Sequence, residues 1–216
     1  LAKCGNLNKA SIKHHNSFIE SAMQLRANDE QRLQSPVDNS VLWNAMIYPL
    51  LKFSIKGAIW YQGESDAGGV KEDHYNCTFP TMISDWRQNF NQASNKQTDS
   101  LFPFGFVQLA PYNNEPTQTY GFPYIRWHQT ADYGYAPNPV IPNTFMAVAI
   151  DLPDFDSPYG SIHPRDKKEV GDRLSLGGLA TVYGKQEVFQ GPFPSKTEVS
   201  SSGVKITYGS ATTLEI

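Results

Sequence analysis

The chain has 216 residues, 39% of them hydrophobic and 18% charged, with 11 Tyr, 12 Phe, 4 Trp and 15 Pro, which is ample material for one sizeable core and excludes a disordered segment. A formal net charge of -3 leaves no basic face for nucleic acid or an anionic membrane, and no apolar run approaches the roughly 20 residues needed to span a bilayer. Neutral, small or sugar-like substrates are therefore favoured over polyanions.

Residues 1–16 read as a polar leader, and Ser17 with Glu20 then forms a capping-box pattern ahead of a loose helical stripe of Phe18, Ala22, Leu25 and Leu33. Residues 1–36 are accordingly a leader and helical segment. Ser40 is positioned to cap a short helix through Val41, Leu42, Ala45 and Met46 that ends before Pro49. A buried strand is expected at about 55–61. Between 73 and 90, Tyr75, Phe79, Met82, Ile83, Trp86 and Phe90 share one helical face, with Pro80 placed in a first turn or causing a kink. A second buried strand follows at 104–109, then a Pro/Asn/Gly/Tyr-rich surface loop at 111–123 and a helix at 125–132. The third strand is 144–150. The helix after it has Pro164 in its first turn, Asp166 and Glu169 at its amino end, and Gly184 closing it after Tyr183. Three strands alternating with helices imply a parallel sheet. From about Gln186 the composition changes, and 196–216 alternates like antiparallel strands about a turn at 200–203, which opens a β-rich segment over 186–216.

Chemistry-bearing residues gather where strands end. Ile59-Trp60-Tyr61-Gln62-Gly63-Glu64-Ser65-Asp66 leaves the first strand, and Asp151 followed by Ser161-Ile162-His163-Pro164 leaves the third. Two polar strand exits, one bearing a His, suggest a hydrolase site at the carboxyl edge of the sheet. Glu64 and Asp66 invite a rival reading as paired glycosidase carboxylates, which need a separation of about 5 Å or more across a sugar. Asn76-Cys77-Thr78 matches an N-glycosylation acceptor and points to a lysosomal or secreted protein, in which Cys4 and Cys77 could pair. A cytosolic form stays open. No metal is expected, because the adjacent His14 and His15 diverge by about 100° on a helix and no acidic or Cys cluster completes a site.

Four segments carry a family resemblance: Val41-Leu42-Trp43-Asn44-Ala45-Met46-Ile47-Tyr48-Pro49-Leu50, Lys56-Gly57-Ala58-Ile59-Trp60-Tyr61-Gln62-Gly63-Glu64-Ser65, Phe122-Pro123-Tyr124-Ile125-Arg126-Trp127-His128-Gln129-Thr130-Ala131-Asp132, and Gly160-Ser161-Ile162-His163-Pro164-Arg165-Asp166-Lys167. Over about 37–190 the chain resembles the sialate O-acetylesterases, which are SGNH-type carbohydrate esterases. The resemblance implies a three-layer, flavodoxin-like α/β fold, with 37–185 as the carboxyl-terminal part of the esterase domain. It also implies removal of acetyl groups from O-acetylated sialic acid or sialoglycans by a serine nucleophile, a His base and a carboxylate, without a cofactor. On that reading His163 is the general base and Gln62 an oxyanion-hole donor. Gly63 then gives close backbone approach to the substrate, and Glu64 either contacts the substrate or simply holds the turn. Independently of the resemblance, Arg126, Trp127 and His128 are candidates to line the cleft, with Tyr112, Tyr120 and Tyr124 as a substrate rim. Many such enzymes carry an Asp two or three residues before the His, where this chain has Ser161 and Gly160. The acid is then sought among Asp151, Asp154 and Asp156, with Asp156 favoured. The family's nucleophile lies in an upstream Gly-x-Ser-type motif that precedes the matched segments, whereas Ser65 belongs to the oxyanion loop. The serine is thus expected from an N-terminal segment or chain. A relative that keeps the fold for carbohydrate binding or assembly is the alternative.

Overall fold

The computed structural model describes residues 40–209. The helix expected after Ser17, the His14-His15 pair and the Cys4 end of the expected disulfide lie outside the described residues. The chain divides into two compact units, 1–54 and 55–216. In the described part of the first, helical turns run Trp43–Ile47 and Tyr48–Leu50. The first segment ends before Pro49, as expected, and Pro49 stands in the first turn of the second, where a missing N–H breaks no helical hydrogen bond.

The second unit is built on a parallel sheet of β1 (Ala58–Trp60), β2 (Phe104–Gln108) and β3 (Thr144–Val148) in that spatial order. Three helices accompany it: α1 (Val70–Ala93), α2 (Phe122–His128) and α3 (Lys167–Tyr183). Residues 104–107 of β2 are all buried, as a parallel strand covered on both faces must be. Their side chains alternate between two layers. Phe104 and Phe106 meet α1, where Phe79 lies 6.3 and 5.2 Å away between ring centres and Trp86 lies 6.2 Å from Phe104. Val107 turns the other way, joining Phe145, Ala147 and Ala149 in a cluster with Val170 and Leu174 of α3. Helix, sheet and helix thus form the three layers expected of the fold.

Two local rules were read too narrowly. Pro80 sits deep inside α1 rather than in its first turn, and the helix accommodates it, with the Thr81 hydroxyl donating to the Cys77 carbonyl at 2.7 Å on the same turn. Pro164 precedes α3, whose N-cap is Asp166, its carboxylate accepting from the Glu169 amide at 3.1 Å. Gly184 closes the helix in the left-handed region as expected. Beyond it, β4 (Pro194–Ser200) and β5 (Gly203–Tyr208) pair as an antiparallel hairpin.

The α3 layer is set by how closely Phe145 is enclosed. A Cβ on Gly105, its register partner in β2, would fall 2.3 Å from the Phe145 ring, and one on Gly177 of α3 would fall 2.4 Å from it. Gly171, on the same helix, has open space around it. Gly177→Ala should therefore destabilise by about 1–3 kcal/mol through overpacking despite a helix-propensity gain of about 1 kcal/mol, while Gly171→Ala should stabilise by about 0.5–1 kcal/mol. Thermal unfolding of the two variants checks this, and shifts of the same sign would contradict the packing argument.

Candidate active site

The carboxyl ends of β1 and β3 flank that of β2, so the two polar exits leave one edge of the sheet about 10 Å apart, two strand spacings. After β1 the chain turns at Gly63, whose φ of 138° disfavours any L side chain. A Cβ there would lie 3.0 Å from Ile125, 3.3 Å from the Tyr75 hydroxyl and 3.4 Å from Leu109. The neighbours this glycine approaches closely are the protein's own Tyr75 of α1, Ile125 of α2 and Leu109 just past β2.

Gln62 is held from several sides. Its Nε2 donates to Asp66, its Oε1 lies 3.1 Å from the Tyr75 hydroxyl, and its carbonyl accepts from Gln129 Nε2 at 3.4 Å. A side-chain amide has two N–H groups, so one can fix its direction while the second serves a developing oxyanion. Asp66 consequently holds the amide, an unforeseen role for a residue read as half of a glycosidase pair. Glu72 anchors the far end of the loop. It is buried in the first turn of α1, and its carboxylate accepts from the Gly68 amide and, at 2.9 Å, from the Gly121 amide that begins α2. Burial raises the Tyr61 phenol to about 12, the Glu64 charge adding to it and the Ala110 backbone opposing. Burial likewise raises Tyr75, with Asp66 and Glu64 adding.

The β3 exit folds into consecutive tight turns, in which the amides of Ser157, Gly160 and His163 donate to the carbonyls of Asp154, Ser157 and Gly160. The hydroxyl of Ser157, a residue that sequence reasoning passed over, donates to the His163 carbonyl at 2.7 Å. This brings the exposed His163 ring back onto its own loop, with Nδ1 2.9 Å from the Tyr159 carbonyl. A carbonyl can only accept, so Nδ1 carries a proton, and in the neutral ring the lone pair is then on Nε2, the tautomer that a general base requires. The expectation that an aspartate orients this ring needs correction: the contact at Nδ1 is a backbone oxygen. Two of the three candidate carboxylates are committed elsewhere. Asp151 forms a fork with Arg173 at 2.6 and 2.7 Å, and Asp154 one with Arg165 at 2.7 and 2.9 Å. Each is held below the usual carboxylate range mainly by its arginine. Asp156 is exposed and hydrogen-bonded in neither fork, although its charge is felt at Arg165.

The two exits meet through Lys167, four residues beyond His163, whose Nζ lies 4.5 Å from the centre of the Tyr61 ring beside Gln62. Desolvation lowers the Lys167 pKa while Glu64 opposes this, so the charge of the first loop is felt at the second. On α2, Arg126 is half-buried with Nη1 3.4 Å from the Leu109 carbonyl. Trp127 is 46% exposed, its edge against Gly134. His128 is buried rather than cleft-lining, with Nδ1 2.5 Å from Asp132. Asp132 also accepts from Asn76 Nδ2 at 2.6 Å, so the sequon nitrogen is engaged within the fold. Of the tyrosine rim, Tyr112 stacks on Phe122 at 5.2 Å and Tyr120 is 71% exposed. Recesses of about 480 and 350 Å³ lie elsewhere, beside Pro80 and Arg87 and beside Met146 and Phe193. Among the described residues no three His, Cys, Asp or Glu side chains group as a metal site would require, and no helix is long and apolar enough to cross a membrane.

Comparison with known proteins gives consistent relatives. The sialate O-acetylesterase of Mus musculus is 55% identical over 192 residues, 88% of this chain and 35% of that protein. That of Homo sapiens is 56% identical over 165 residues, 76% of this chain and 31% of that protein. A crystal structure of a carbohydrate acetylesterase from Xanthomonas citri superposes with a TM-score of 0.63 at 30% identity, covering 78% of this chain and 35% of that one. No family model matches the chain. The chain therefore spans about a third of the length of the relatives it matches.

The contact between the exits can be measured. In a double-mutant cycle of Tyr61→Leu with Lys167→Met, thermal unfolding should show a coupling of about 0.5–1 kcal/mol for a partly desolvated cation over a ring. Additive effects would mean that the two loops do not touch.

Proposed function

This chain belongs to the sialate O-acetylesterase family over the stretch it shares with those relatives, and on that premise we propose that it supplies the base and the oxyanion donor of an esterase that removes O-acetyl groups from sialic acid. The observation that carries the reading is the meeting of the Gln62 and His163 loops at one sheet edge through Tyr61 and Lys167. The serine nucleophile comes from sequence upstream of the matched segments.

In this mechanism His163 Nε2 takes the serine proton as the hydroxyl oxygen attacks the acetyl carbonyl. Gln62 Nε2 donates to the resulting oxyanion, the more effectively because Asp66 and Tyr75 already fix its direction. The imidazolium returns the proton to the sugar oxygen as the C–O bond breaks, leaving an acetyl-serine. Water then attacks that ester with His163 again as base, and acetate and free serine result. The Tyr159 carbonyl holds the ring in its working tautomer. Asp156 is the carboxylate we assign to offset the imidazolium charge through space, since Arg173 and Arg165 form forks with Asp151 and Asp154.

The reading is tested by acetate release from O-acetylated sialic acid in the protein joined to an upstream serine-bearing segment. His163→Ala should lower kcat by about a thousand-fold or more, and Gln62→Ala by about a hundred-fold with KM little changed. Asp156→Asn should cost more than Asp151→Asn. Undiminished turnover in the His163 variant would sink the proposal.

A further inference from the structure

Arg126 differs from the other arginines of the fold. Four arginines lie among the described residues. Arg165 and Arg173 each grip a carboxylate, and Arg87 is buried with its guanidinium donating to the carbonyls of Phe102 and Asn143 at 3.0 Å. Arg126 has one long contact, 3.4 Å to the Leu109 carbonyl, and no acidic partner among the described residues. Half-buried without a counter-charge, its guanidinium is pulled down in pKa by desolvation alone and remains a cation. Its place in the fold is specific. Leu109 is where β2 leaves the sheet, and both Leu109 and Ile125, the residue before Arg126, pack on Gly63 beside the oxyanion donor. Arg126 also shares a helical face with Gln129, three residues on, which bonds the Gln62 carbonyl.

We infer that Arg126 receives the carboxylate of the sugar acid, clamping it beside the Gln62–Gly63 turn so that the site selects an anionic sugar over a neutral one of the same shape. A planar guanidinium offers two parallel N–H groups to a carboxylate, and partial burial strengthens the pair. The single long backbone contact leaves donors free for it. This deepens the esterase reading and rests on it.

The experiment compares binding of N-acetylneuraminic acid and its methyl ester, which differ in that one charge, by calorimetric titration of the full chain. The acid should bind about ten-fold or more tightly than the ester. Arg126→Met should abolish that ratio while leaving the affinity for the ester unchanged. Equal affinities in the unsubstituted protein, or a ratio that survives in Arg126→Met, would overturn the assignment of Arg126 and leave the esterase reading standing. Binding of neither form would overturn both.

Discussion

The side chain of Gln129 is wholly buried, and the geometry of the candidate site depends on how its amide is used. Its Oε1 accepts from the Leu109 amide at 3.2 Å, and its Nε2 donates to the Val107 carbonyl at 2.8 Å and to the Gln62 carbonyl at 3.4 Å. These are backbone groups that β1 and β2 expose as they leave the sheet, where no further strand partner exists. Leaving such a group buried and unpaired costs about 1–3 kcal/mol each, so one glutamine both stabilises the edge and fixes the spacing of two strand exits. Arg87 plays the matching part at the opposite edge, joining the carbonyls that precede β2 and β3. With both ends of the sheet held by side chains, a three-stranded core can present its loops in a defined order.

The chemistry follows from which charges are paired. On the β3 side, two arginine–carboxylate forks fasten the loop, one joining Asp151 to α3 and the other closing the turns from Asp154 to Arg165. Each fork pairs one exposed side chain with one half-buried partner, so solvent screens it and its contribution to stability is small. Their effect is on shape and on local charge, because they commit two carboxylates and leave His163 facing a backbone carbonyl. On the β1 side, Asp66 holds the Gln62 amide and Glu72 the Gly68 amide by direct hydrogen bonds, and the Glu64 charge is felt at Tyr61. Lys167 stands at the border of that acidic turn and Arg126 reaches the Leu109 carbonyl where β2 ends, so the candidate site combines a rigid amide, an imidazole and cations around a single sheet edge.

Much of the architecture was legible because hydrophobic periodicity reports burial. The apolar runs read as strands at 104–109 and 144–150 contain β2 and β3, and the Phe79, Ile83 and Phe90 stripe marked the face of α1 that meets β2. The strand exits at Gln62 and Asp151 were legible as abrupt changes from apolar to polar. What stayed hidden are interactions between residues distant in sequence. No local pattern reveals that Gln129 serves Gln62, that Glu72 reaches Gly121, or that Arg173 and Arg165 take two aspartates. Of the two places open to Pro80, the first turn is excluded because aromatic residues on both sides of it pack as one continuous α1. The orientation of His163 likewise depends on the Gly160 turn, whose φ of 86° sends the chain back on itself.

The claim that one buried amide sets the relative position of two strand exits is tested most directly by amide hydrogen exchange in Gln129→Met, a change close in volume that removes the amide's donor and acceptor. The account predicts faster exchange at Leu109 and across 62–66, with α3 and β3 as protected as before. Unchanged protection at 62–66 and Leu109 in a folded variant would contradict it.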